Sequence, residues 1–233
     1  TTNALASDLS THTNLVGTET LNLSGTGTIA SKNVGSNKTV SVGTLALADG
    51  SNGGLAANYT LSGGTHQLTV NQRPLNATLS RQYDGTTTSA GSDLSSFDAL
   101  QGGETLTLSG SGTVGDENVA NGQGITLGTL ALVDGTGLAS NYSLNSASLN
   151  ITQKTVNLSG SKIYEANTTF DNSIVNISSG LIGSETLNLT GVVNTNSANV
   201  NTYSASGGTL NGGSTSIALA DGTNGGLASN YTI

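Results

Sequence analysis

Gln101-Gly102-Gly103-Glu104-Thr105-Leu106-Thr107-Leu108-Ser109-Gly110 decides the architecture, because it occurs three times. Upstream it reads Val16-Gly17-Thr18-Glu19-Thr20-Leu21-Asn22-Leu23-Ser24-Gly25, and downstream Ile182-Gly183-Ser184-Glu185-Thr186-Leu187-Asn188-Leu189-Thr190-Gly191. The shared glutamates are 85 and 81 residues apart. In every copy two leucines flank one polar residue, which places both on the same face of an extended strand.

Two further blocks recur in constant order. Leu47-Ala48-Asp49-Gly50 through Asn58-Tyr59-Thr60 returns as Leu132-Val133-Asp134-Gly135 to Asn141-Tyr142-Ser143, and as Leu219-Ala220-Asp221-Gly222 to Asn230-Tyr231-Thr232. Tyr83-Asp84-Gly85-Thr86-Thr87 is matched by Tyr164-Glu165-Ala166-Asn167-Thr168. The chain is therefore a repeat array. The predicted boundaries are a first repeat over 1–72 lacking its Tyr-Asp-Gly strand, a complete second over 73–153, and a divergent third over 154–233 lacking its last strand.

Alternation marks the repeats as β: Leu75, Ala77, Leu79; Leu130, Leu132; Leu149, Ile151. The phase slips by one residue at Gly43 and Gly128, which reads as a β-bulge. A short helix is expected between Ser92 and Leu100, capped by Ser92 or Asp93. Only Gln72-Arg73-Pro74 and Gln153-Lys154-Thr155 separate successive repeats, and the alternation changes phase across each. Joints this short predict stiffly connected units. The expected fold is all-β, a tandem array of small β-sandwich or β-grasp-like units forming an elongated rod. A right-handed β-solenoid is the alternative, but its coils repeat at roughly 20–30 residues.

Composition narrows the function. The 233 residues include 33 Gly and one Pro, with 9% charged and 3% aromatic residues, so several thin cores fit better than one thick one. The net charge of −8, with six Lys plus Arg, speaks against nucleic acid and anionic membrane surfaces as partners. No apolar run reaches the ~18 residues of a spanning helix, so no membrane insertion is expected. With no Cys, disulfides, thiolate nucleophiles and zinc–thiolate sites are excluded.

Catalysis through Tyr83 and Asp84 would need partners, and the two histidines, His12 and His66, have no counterpart in the second repeat. Asp84-Gly85 is better read as a tight turn, with Tyr83 packed over a thin core. Asp49, Asp134 and Asp221 are calcium candidates, as is Asp116-Glu117. One carboxylate per Asp-Gly loop falls short of the six to eight oxygens calcium takes, so no cofactor is expected. Glu19, Glu104 and Glu185 are read as residues ahead of a strand that satisfy backbone N–H groups. The second repeat contains no lysine, which rules out a general Lys–Asn isopeptide cross-link.

Tyr83-Asp84-Gly85-Thr86-Thr87, Gly103-Glu104-Thr105-Leu106 and Leu138-Ala139-Ser140-Asn141-Tyr142-Ser143, in that order, resemble the YDG repeat of large bacterial adhesins of the filamentous-haemagglutinin type. Tyr164-Glu165-Ala166 departs from that pattern. The resemblance implies a secreted or cell-surface, non-enzymatic stalk that extends a distal binding domain and contributes to cell adhesion or biofilm matrix. The implied partners are host or bacterial surface glycans, proteins or matrix polysaccharide, engaged by the full-length protein, with this fragment monomeric. The alternative is a carbohydrate- or matrix-binding module acting by avidity across its repeats. The absence of Trp leaves such a module short of the aromatic platforms sugars stack on.

Overall fold

The structure, a computed structural model, describes residues 2–9, 14–61, 66–203, 205–206, 209–210, 213–214 and 216–233. It is all-β. Every helix among the described residues is a three-residue 3-10 turn, and none is long and apolar enough to cross a membrane. The chain forms two compact units, Thr1–Pro74 with Asp134–Ser143, and Leu75–Val133 with Leu144–Ile233.

The first unit holds β1 (Asn3–Leu5), β2 (Leu21–Ser24), β3 (Thr26–Ile29), β4 (Gly35–Ser41), β5 (Ala46–Asp49) and β6 (Gln67–Val70). One sheet runs β1-β3-β4-β6, antiparallel throughout, and β2 pairs with β5. Ala4, Ile29, Val40 and Leu45 form its buried centre.

The second unit begins with β7 (Arg73–Gln82), β8 (Thr88–Ala90), β9 (Leu94–Phe97), β10 (Leu106–Ser109), β11 (Ser111–Thr113), β12 (Ala120–Gly124), β13 (Ala131–Asp134) and β14 (Tyr142–Thr152), whose outer residues fall at the unit boundaries. The sheet order β12-β14-β7-β9 puts the first and last strands of the repeat side by side in the middle. They run parallel: Asn145 and Ser146 bond the Asn76 side chain at 3.0 and 2.6 Å, and Tyr83 N–H reaches Thr152 O at 2.8 Å. Leu75, Ala77 and Leu79 from β7 and Ala147, Leu149 and Ile151 from β14 are all buried, as the period-two pattern requires.

The third repeat adds β15 (Lys154–Thr155), β16 (Asn157–Gly160), β17 (Thr169–Asp171), β18 (Val175–Ser179), β19 (Leu187–Thr190) and β20 (Val192–Asn194). Short strands β21 (Ala205–Ser206), β22 (Thr209–Leu210) and β23 (Gly213–Ser214) follow, then β24 (Ala218–Asp221) and β25 (Tyr231–Thr232). Pairs β16-β18, β17-β20 and β19-β24 are antiparallel, and β15-β25 is parallel.

Three expectations need correction. The segment 92–100 is not a helix: Gly91–Asp93 is a 3-10 turn, and Leu94–Phe97 is a strand against β7. Asp93 accepts the Ala90 N–H at 3.0 Å, closing the turn so tightly that the chain leaves it extended. The phase slips are not bulges. Gly43 and Gly128 lie in turns closed by Leu45 N–H to Val42 O and Leu130 N–H to Leu127 O, at 2.9 and 2.8 Å. Their φ values are +58° and +55°, and a Cβ would meet Thr26 O at 2.5 Å or Ser111 O at 2.6 Å, so only glycine fits. Finally, the second and third repeats do not have separate cores. Ile151 and Val156, on either side of Gln153, belong to one hydrophobic cluster that also contains Tyr83 and Tyr231.

Candidate functional site

The residues that define the repeats come together where one repeat meets the next. β7 carries Tyr83 to the end of the second repeat, where its side chain is only 2% exposed. Its hydroxyl donates to Glu185 Oε1 at 2.7 Å, and the Tyr231 hydroxyl donates to Glu185 Oε2, also at 2.7 Å. The two rings meet edge to face, 5.4 Å between centroids and 78° between planes, the arrangement their quadrupoles favour. Ile182 N–H donates to the Tyr231 hydroxyl oxygen at 3.1 Å. One carboxylate thus bridges two buried phenols from different repeats. Burial, reinforced by the Glu185 hydrogen bond, pushes the Tyr231 phenol up to about 12 and that of Tyr83 further.

A second contact lies beside the first. The 3-10 turn Ala228–Asn230 buries Asn230 completely. Its Oδ1 accepts Val119 N–H at 2.9 Å and its Nδ2 donates to Asn118 Oδ1 at 2.7 Å. Gln153, at the strand junction, donates to Ser229 O at 3.1 Å. In the first unit the same positions repeat the pattern. Asn141 Oδ1 accepts Val34 N–H at 2.9 Å, Asn141 Nδ2 donates to Asn33 Oδ1 at 3.0 Å, and Gln72 donates to Ser140 O at 3.2 Å. There the Tyr59 hydroxyl donates to Glu19 at 2.5 Å, which raises the phenol above its ordinary range.

Glu19 and Glu185 therefore accept from phenols, not from backbone N–H groups as expected. Glu104 is half-buried, with its own N–H on Gln101 O at 2.9 Å, and Tyr142 is 4% exposed. Asp84 builds a turn: it accepts Thr86 N–H at 3.0 Å and Thr86 Oγ1 at 2.9 Å, and pairs with Arg81. Gly85 follows at φ +70°. All three contacts fall on Asp84 Oδ1, so the carboxylate of the Tyr-Asp-Gly motif closes the turn that carries Tyr83.

Asp49, Asp134 and Asp221 each accept the N–H that opens a 3-10 turn, at Ala56, Ala139 and Ala228, over 2.7, 2.7 and 2.8 Å. Asp116 accepts from Asn118 N–H and Nδ2 at 3.0 and 2.7 Å. Among the described residues no three His, Asp or Glu side chains gather as a metal site. His66 Nε2 is buried without a partner, and His12 lies outside the described residues.

Reading the sequence missed Asn33-Val34 and Asn118-Val119, the receiving half of the asparagine contact. Their signal was present: the dipeptide recurs at the repeat spacing. Nothing chemical distinguishes it within one repeat, because its partner comes from the next.

The sequence matches the YDG domain over residues 1–68 and again over residues 66–149, and the chain belongs to the YDG domain family. Neither curated proteins nor solved structures give a match.

Proposed function

We propose that this chain is part of the structural stalk of a secreted or cell-surface bacterial adhesin, with the repeats holding a distal binding domain away from the cell. In this reading each repeat is a β-grasp-like module, supported by the parallel central pair β7 and β14 in the order β12-β14-β7-β9. The observation that carries the proposal is the joint. Tyr83, Glu185, Asn230 and Tyr231, the most characteristic residues of the repeat blocks, are engaged in fastening one repeat to the next. A spacer needs a stiff joint and no chemistry. The ordered YDG blocks and the Cys-free composition fit an exported, non-enzymatic array that adheres to glycans, proteins or matrix polysaccharide through other parts of the full-length protein.

Small-angle scattering of the 233-residue chain tests this. The expected radius of gyration is well above the ~17–18 Å of a compact domain of this length, with a rod-like distance distribution. A value near the compact one would overturn the stalk.

A further inference from the structure

The order β12-β14-β7-β9 seats the first and last strands of the second repeat side by side, each with a further strand on its other flank. Four hydrogen bonds fix how the two lie. Near the start of β7, Asn145 Nδ2 and Ser146 Oγ donate to Asn76 Oδ1 at 3.0 and 2.6 Å. At its end, Thr152 Oγ1 donates to Arg81 O at 3.3 Å, and Tyr83 N–H donates to Thr152 O at 2.8 Å. In the two side-chain contacts near the start the partners are 69 and 70 positions apart in the chain, and at the end 71. The separation barely changes, so the strands run parallel from one end to the other.

Direction matters because of where the chain enters and leaves. Arg73 begins β7 and Thr152 ends β14. Tension along the chain pulls β7 towards its start and β14 towards its end, in opposite senses along a common axis. The evenly spaced bonds of a parallel ladder are then strained together, and no single one gives way first. Pulled apart from one end, the same pair would lose its bonds one at a time. Neither strand is an edge of its sheet, so neither can peel off sideways. Leu75, Leu79, Leu149 and Ile151 close one face of the pair to water, and the low dielectric there strengthens its hydrogen bonds. The third repeat also pairs its first strand with its last in parallel, Lys154 opposite Tyr231 and Thr155 opposite Thr232.

We infer that the β7–β14 pair is a mechanical clamp, and that the repeat carries tension along the chain as well as spanning distance. The purpose rests on the stalk reading, since a stalk is pulled from both ends. The clamp itself follows from strand order and direction. Forced unfolding reads the barrier that must be crossed and not the equilibrium stability, so resistance depends on the direction of pull even though the fold is the same.

Single-molecule force spectroscopy of the whole chain tests this. The sequence contains no Cys, so two introduced thiols define the points of pull. Asn71→Cys with Gln153→Cys loads the pair in shear. Gln82→Cys with Gln153→Cys grips both strands at the same end and opens them. All three side chains are exposed, and Gln153, which donates to Ser229 O, is replaced in both variants, so its loss cancels. At one loading rate the first pair of handles should need at least about twice the rupture force of the second. Equal forces, or a lower force in shear, would overturn the clamp whatever the scattering shows. A twofold ratio in a chain that scatters as a compact domain would instead remove the stalk and leave the clamp standing.

Discussion

Tyr83 and Tyr164 occupy the same place in successive repeats and have opposite surroundings. Tyr83 is 2% exposed, pressed against Tyr231 and bonded to Glu185, whereas Tyr164 is 58% exposed. The hairpins that carry them are alike. Arg81 pairs with Asp84 three residues on, and Lys162 pairs with Glu165 at the same offset. The backbone passes through positive φ at both Gly85, +70°, and Ala166, +53°. What differs is the neighbour. The motif builds an arm, and burial of its ring depends on a glutamate and a tyrosine supplied by the repeat that follows.

The largest predicted effect tests this contrast. Tyr83→Ala removes a buried aromatic ring and its one hydroxyl–carboxylate hydrogen bond, to Glu185, and should cost about 3–5 kcal/mol in the denaturant unfolding of the second unit. Tyr164→Ala should change it by less than about 0.5 kcal/mol, as surface substitutions do. Equal losses at the two positions would mean that the exposure of Tyr164 does not reflect its environment.

This contrast also explains what was legible in the sequence. Alternation gave Leu75, Ala77 and Leu79 their faces, and the turn chemistry of Asp84-Gly85 was readable, because both are decided within a few residues. The roles of Glu185 and Asn230 were not. Their partners lie 102 and 111 residues away in the chain, and no local pattern states which repeat supplies them. The segment 92–100 was misread for a related reason. Its pairing with β7 outweighs the weak helix-start signal at Ser92 and Asp93.

The asparagine contact offers a second comparison of intermediate size. Asn230 is completely buried, so Asn230→Ala strands the Val119 N–H and the Asn118 side chain and should cost about 1–3 kcal/mol. Asn58, at the same repeat position in the first unit, is exposed, and Asn58→Ala should stay within about 0.5 kcal/mol. Thermal or urea melts of the two variants separate a joint residue from a loop residue that shares its motif.

The carboxylate between the phenols makes the joint sensitive to alkali. The folded state raises the Tyr83 and Tyr231 phenols above their ordinary value near 10, so it favours their protonated forms. That contribution is fully present below about pH 10 and is lost as pH rises through about 12. Stability of the second unit should fall across this window, and tyrosinate absorbance should show two late-ionising phenols. Glu185→Gln removes the negative charge while leaving the rings buried. It should move the late phenols to lower pH at a cost of about 1–2 kcal/mol at neutral pH. An unchanged alkaline profile would mean that Glu185 does not govern these groups.

The smallest effect concerns the backbone of the two arms. Ala166 holds φ at +53° with a Cβ in place, which costs roughly 1–2 kcal/mol relative to glycine. Ala166→Gly removes that strain but gives the unfolded chain more freedom, an opposing term of roughly 0.5–1 kcal/mol. The net expectation is a stabilisation of about 0.5 kcal/mol, seen as a small upward shift in urea midpoint. The reverse change, Gly85→Ala, should destabilise, since its φ is +70° and the new Cβ would lie 2.9 Å from Ile182 Cγ2. If Ala166→Gly instead destabilised the protein by as much as Gly85→Ala, the shared positive φ would not be the conformation the third repeat adopts. The two arms would then differ in backbone, and the exposure of Tyr164 would follow from its own hairpin.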